Sequence, residues 1–196
     1  MFKKIILAAA LIVSAAFAQS PLSVGGRAAF NFGTIWGENT DNANWGAGFN
    51  AGVDVKYNVS PVLSLISGLE LDYRRLTDEY DNGDYTVKKY VSFMYLDIPV
   101  LFRLNATPSF FFDAGMTLGF NLSANQTREA KGASKSQDIS SDVESFEVGF
   151  VGGLGFVIIP KLELDFRVAF GMSSMVKEVD YFKNMRFQVG ASYWFM

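Results

Sequence analysis

The stretch Leu22-Ser-Val-Gly-Gly-Arg-Ala-Ala-Phe-Asn-Phe-Gly-Thr-Ile-Trp36 carries the alternation on which the fold class turns. Its even positions are Leu22, Val24, Gly26, Ala28, Phe30, Phe32, Thr34 and Trp36, and between them stand Ser23, Gly25, Arg27, Ala29, Asn31 and Gly33. One side is greasy and the other small or polar. A period of two belongs to an extended strand, whose successive side chains point to opposite faces.

The same division recurs along the chain. Residues 47–59 set Ala47, Phe49, Ala51, Val53, Val55, Tyr57 and Val59 against Gly48, Asn50, Gly52, Asp54, Lys56 and Asn58. Residues 63–73, 110–123, 146–158 and 162–172 alternate likewise, with Ile66 and Ser67 as exceptions in the first. The last strand, 185–196, opposes Met185, Phe187, Val189, Ala191, Tyr193 and Phe195 to Arg186, Gln188, Gly190 and Ser192. A further strand is expected over 90–104. There Phe93, Tyr95 and Leu101 fall on the otherwise polar face and Pro99 removes a ladder donor, so a bulge or register break near 94–99 is expected.

Alternation alone does not say which face is inside. Charges on the apolar faces occur only near strand ends, at Arg75, Lys88 and Glu144, while the opposite faces hold glycines and paired charges. A charge facing lipid at mid-depth costs about 2–4 kcal/mol, whereas one on the wet exterior of a soluble sheet costs nothing. The pattern therefore reads as apolar-outward in a bilayer. Connections are short at 60–61, 105–108 and 159–160 and long at 37–45, 77–86, 125–142 and 174–184. Three short turns and four long loops join eight strands, the layout of a bacterial barrel with periplasmic turns and extracellular loops. Closure leaves no sheet edge unpaired in lipid. Trp36, Trp45, Tyr57, Tyr73, Phe110 and Tyr193 lie near strand ends, where aromatic girdles meet the interface.

The N-terminus has the parts of an export signal: Lys3 and Lys4, an apolar run from Ile5 to Phe17, and small residues at Ala16 and Ala18 before a cut ahead of Gln19. Residues 1–18 are expected to be a signal peptide and 19–196 one barrel domain. Losing Lys3 and Lys4 takes the formal charge from −3 to −5, which gives no electrostatic support for nucleic-acid binding. With no cysteine, no disulfide staples the exported chain.

Two motifs add resemblances. Tyr95-Leu96-Asp97-Ile98-Pro99-Val100-Leu101, followed by Phe111-Phe112-Asp113-Ala114-Gly115, resembles the PorT-like outer-membrane β-barrel family, in which a Tyr-Leu-Glu-Ile-Pro strand precedes a short turn and an aromatic strand; Asp97 stands in the Glu position. Gln188, Gly190, Tyr193 and Phe195 resemble the assembly signal read by the outer-membrane insertion machinery, with Met196 leaving Phe195 penultimate. The resemblances imply an outer-membrane location, with lipid and that machinery as partners.

The inward face is expected to collect Arg27, Lys56, Arg74, Arg103, Arg167 and Arg186 beside Asp54, Glu70, Asp72, Asp97, Asp113, Glu147, Glu163 and Asp165. Eight strands leave an interior that side chains just fill, so these groups are expected to form a hydrogen-bonded plug. Enzyme activity is not expected, because no histidine is available for a Ser-His or Cys-His system or a histidine metal site. No cofactor or metal is expected. Gly152-Gly153-Leu154-Gly155 lacks the Lys-Ser/Thr of a P-loop, the acidic stretch 77–86 lacks EF-hand spacing, and Asn125-Gln126-Thr127 reads as a chance glycosylation triplet. The leading expectation is a filled barrel acting structurally or through extracellular contacts, with residues 125–142 as the best contact loop. A narrow solute or ion channel and a soluble periplasmic lipid-binding barrel are the alternatives.

Overall fold

A computed structural model describes residues 21–36, 45–81, 86–130, 133–174 and 183–195. The strands are β1 (Leu22–Trp36), β2 (Gly46–Asn58), β3 (Leu63–Asp81), β4 (Thr86–Thr107), β5 (Phe110–Ala130), β6 (Ala133–Asp138), β7 (Phe146–Ile159), β8 (Leu162–Gly171) and β9 (Lys183–Trp194). All neighbours are antiparallel, in the order β4-β3-β2-β1-β9-β8-β7-β5, and β4 pairs with β5 to close the ring. Eight strands thus make an up-and-down barrel with no edge, and β6 pairs with β5 outside it. The N- and C-terminal strands are zipped through pairs such as Arg27 with Ser192 and Asn31 with Gln188.

The polarity of a soluble protein is reversed. Phe30 is 73% exposed and Val189 57%, whereas Arg27 is 2% exposed and Asp72 fully buried. The apolar face is the outside, so the interior offers no lipid cavity of the kind a soluble lipid-binding barrel requires.

Three expectations are corrected. Residues 77–86 do not form a long loop: β3 runs to Asp81 and β4 starts at Thr86, paired from Thr77–Tyr90 to Asp81–Thr86. Residues 125–142 likewise contain the end of β5 and all of β6, paired from Asn125–Asp138 to Ala130–Ala133. Above the lipid a strand needs no greasy face, so pairing continues through sequence that does not alternate. In β4 the register shift is present, between Met94 and Tyr95, but the extra residue is Leu122 of β5. The parity of β4 itself does not change, and Phe93, Tyr95 and Leu101 remain buried inside. Residues 1–18 and the cut before Gln19, like 37–44 and 175–182 of the other long connections, lie outside the described residues.

Candidate functional site

The interior is built in layers by the inward residues of all eight barrel strands. Nearest the long connections lies an apolar cap of Phe93, Tyr95, Ala124 and Val143, packed against Leu76, Val91 and Ile139. The segment after β6 folds back to complete it. The Ile139 amide donates to the Ala124 carbonyl at 2.9 Å, and the Ala124 amide donates to Ser140 Oγ at 2.9 Å. Ser140, bonded through its side chain and its backbone amide, holds the exposed Asp138 carboxyl below the usual carboxylate range.

Beneath the cap, Arg74 reaches Asp72 at 2.8 Å, Asp97 at 2.9 Å and Glu147 at 2.7 Å, with its guanidinium 3.9 Å from the centre of the Tyr95 ring. Arg186 pairs with Asp72 and, at 3.1 Å, with Asp97. In the next layer Arg27 pairs with Asp165 at 2.6 Å and Glu70 at 3.2 Å, while Asn50 donates to Glu70 at 2.6 Å. Arg167 stands 3.3 Å from both Asp165 and Asp113. Asp54 is buried in this layer, and neither of its oxygens has a hydrogen-bond partner. A small apolar cluster of Ile66, Leu101, Val151 and Ala169 interrupts the charges.

At the short-turn end, Arg103 grips Asp113 through two bonds of 2.7 and 3.0 Å, bonds Glu163 at 2.5 Å and lies 3.4 Å over the Phe111 ring. Lys56 bonds Glu163 at 2.8 Å and sits 4.1 Å over Trp194. Glycine makes room for these inward aromatics: a Cβ on Gly155 would lie 2.3 Å from Phe111, and one on Gly25 2.8 Å from Trp194. Among the described residues, cavities beside Arg74 and beside Glu70 measure about 10 and 20 Å³, water-sized at most, and a larger hollow of about 670 Å³ is the mouth beside Lys56 and Trp194.

Sequence reasoning missed the neutral members of this interior. Asn31 and Asn50 bond the acids directly, and Phe111 and Trp194 floor the barrel. Both aromatics share the parity of their polar neighbours Asp113 and Ser192, which was the available signal. Ala124 and Val143 carried no comparable signal, because the bulge at Leu122 inverts the parity of β5 and residues 139–145 follow no strand period.

Among the described residues, no group of three or more His, Cys, Asp and Glu side chains is placed to hold a metal ion. The second feature is the projecting sheet. Past the barrel, β3, β4, β5 and β6 continue as a four-stranded extension in which β6 pairs, among the described residues, with β5 alone.

No curated protein matches the sequence. Among solved structures, the attachment invasion locus protein Ail of Yersinia pestis is 13% identical with a TM-score of 0.51, the match covering 88% of this chain and 98% of that one. Neisserial surface protein A is 14% identical with a TM-score of 0.50, covering 89% and 97%. At such identities the likeness concerns the fold. The family model for the outer membrane protein beta-barrel domain matches residues 17–177. The apolar exterior, the closed sheet and that match together place this chain in the outer membrane, as a member of the outer membrane protein beta-barrel domain family.

Proposed function

We propose that the protein is a closed, non-conducting barrel that holds an extracellular β-sheet for contacts at the cell surface. The observation that carries this reading is the combination of a capped lumen with β6, an exposed strand whose outer edge has no neighbour among the described residues. Such an edge offers N–H and C=O groups to an extended segment of another protein. The name of the Yersinia neighbour, an attachment protein on the same fold, is compatible with this role. Two finer assignments belong to the same proposal. The Tyr95–Leu101 motif supports a place near the PorT-like barrels, and Gln188, Gly190, Tyr193 and Phe195 support delivery by the insertion machinery after removal of residues 1–18.

One preparation tests the reading. The protein is purified from outer membranes, its mass is checked for a start at Gln19, and it is reconstituted both in planar bilayers and in vesicles. No reproducible conductance steps are expected. Vesicles are expected to adhere to protein-coated surfaces and to lose adhesion when the β5–β6 hairpin is shortened. Stepwise conductance would overturn the closed barrel and favour the channel reading, for which the excess of acids over bases in the lumen is the supporting observation. Adhesion indifferent to the hairpin would overturn the contact surface.

A further inference from the structure

The interior charges do not balance among themselves. Among the described residues, seven buried acids are ion-paired: Glu70, Asp72, Asp97, Asp113, Glu147, Glu163 and Asp165, with Arg27, Lys56, Arg74, Arg103, Arg167 and Arg186 as their bases. Asp54 is the eighth acid. It is 1% exposed, and both carboxylate oxygens are without a hydrogen-bond partner.

Its surroundings are defined on every side. From β1 it is faced by Arg27, from β3 by Glu70, and from β8 by Asp165 and Arg167. Register puts Asp54 opposite Gly68 and Glu70 opposite Gly52, so the two acids are diagonal neighbours on the inner face. The Asp54 carboxylate lies across β3, with Oδ1 2.1 Å from where a Gly68 Cβ would be. Both arginines are ion-paired elsewhere, Arg27 with Glu70 and Asp165, Arg167 with Asp165 and Asp113, and Arg167 Nε, though 3.3 Å from Asp165, makes no hydrogen bond. Glu70 also keeps one oxygen, Oε1, without a hydrogen bond; Arg167 approaches it only to 3.7 Å. Around Asp54 three acids thus face two bases and leave three carboxylate oxygens unbonded, while on its far side Glu70 stands opposite Asp97 of β4 and is faced by Arg186 of β9. An unpaired ion held out of water is strongly disfavoured, which a folded barrel avoids by neutralising it.

We propose that Asp54 and the free oxygen of Glu70 form a binding site for one small monovalent cation taken from solution, either a proton or a sodium ion. A proton on Asp54 turns an orphan acceptor into an O–H donor, for which Glu70 Oε1 of the diagonal neighbour is the unbonded acceptor. A sodium ion would use the same oxygens as ligands. Either adds the single positive charge that this layer lacks. Because the unfolded chain has no such site, occupancy stabilises the folded barrel. For a proton, stability falls as pH rises and the folded state must give it up, changing the folding equilibrium by up to about tenfold per pH unit.

The test follows urea unfolding of the full-length barrel in detergent by the mobility shift between unheated folded and unfolded forms, from acid to alkaline pH, in sodium chloride or choline chloride of equal strength. If a proton is bound, the wild-type midpoint falls with rising pH in both salts, and the infrared carbonyl stretch of a protonated carboxyl is present in wild type and absent in Asp54→Asn. If sodium is bound, the midpoint is higher in sodium than in choline and the carboxyl band is missing. Either result supports the site, provided that Asp54→Asn, neutral and of the same shape, removes the dependence. Should Asp54→Asn not fold, the wild-type pH and salt series with the infrared spectrum decides alone. A wild-type midpoint indifferent to both pH and sodium, with no carboxyl band, would overturn the proposal, as would an Asp54→Asn barrel that keeps the wild-type dependence.

Discussion

At the residue scale the interior is held by arginines that each serve several carboxylates. Arg103 is the strongest case: it is 2% exposed, forks onto Asp113, reaches Glu163 and lies flat on Phe111. Removing it leaves the Asp113 carboxylate, itself 2% exposed, without its two-bond partner. Arg103→Ala is therefore expected to lower the unfolding free energy by about 3–5 kcal/mol, because the loss of one partner leaves buried charge uncompensated. Arg103→Lys restores the charge without the planar fork or the ring contact, and is expected to recover only part of the loss. Urea titration of the folded fraction measures both. Equal midpoints for Arg103→Ala and wild type would show that the network adds nothing to stability. A smaller effect is expected at Lys161, which takes a left-handed φ of 83° in the turn after Pro160. Lys161→Gly removes a strain of about 1 kcal/mol, offset by loss of the Nζ bond to the Phe195 carbonyl.

At the scale of the element, legibility followed the solvent. Where strands cross lipid, the two faces meet opposite media, so period-two alternation marked β1, β2, β7, β8 and β9 to within a few residues. The end of β3, the start of β4 and the whole of β6 lie beyond the lipid. Their sequences, such as Ala-Ser-Lys-Ser-Gln-Asp in β6, carry no alternation and read as loop. The apolar cap was hidden for a related reason, since Phe93 and Tyr95 break the pattern of a charged inner face yet sit where the lumen needs sealing. The hairpin's independence from the barrel can be tested. Gln126 pairs with Gln137, so replacing residues 127–136 by Asn-Gly joins paired positions through a two-residue turn. Residues 139–145, which complete the cap, are untouched. The shortened protein is expected to keep the wild-type unfolding free energy, measured by urea titration, within about 0.5 kcal/mol, the size usual for changes away from packed features. A collapse in stability would mean that the extension is part of the barrel's folding core.

For the whole molecule the governing fact is inversion: large apolar side chains outside, ions within. That orientation makes opposite forecasts for two substitutions on one strand. Val189 of β9 faces outward in the middle of the band, paired with Phe30 of β1 and Phe166 of β8, and its neighbour Gln188 faces inward. Val189→Arg puts a charge into the middle of the bilayer, expected to cost about 2–4 kcal/mol in lipid. In a short-chain detergent micelle, where water and headgroups reach the side chain, the same variant is expected to lose much less. Gln188→Leu changes an inner position that lipid never touches, so whatever it costs should be the same in both media. Unfolding the wild type and both variants in bilayers and in micelles gives the comparison. A medium-dependent penalty at 189 with none at 188 requires an apolar face solvated by lipid, because packing against protein does not change when the bilayer is exchanged for detergent. Equal penalties at Val189 in the two media would place that residue against protein and turn the barrel inside out.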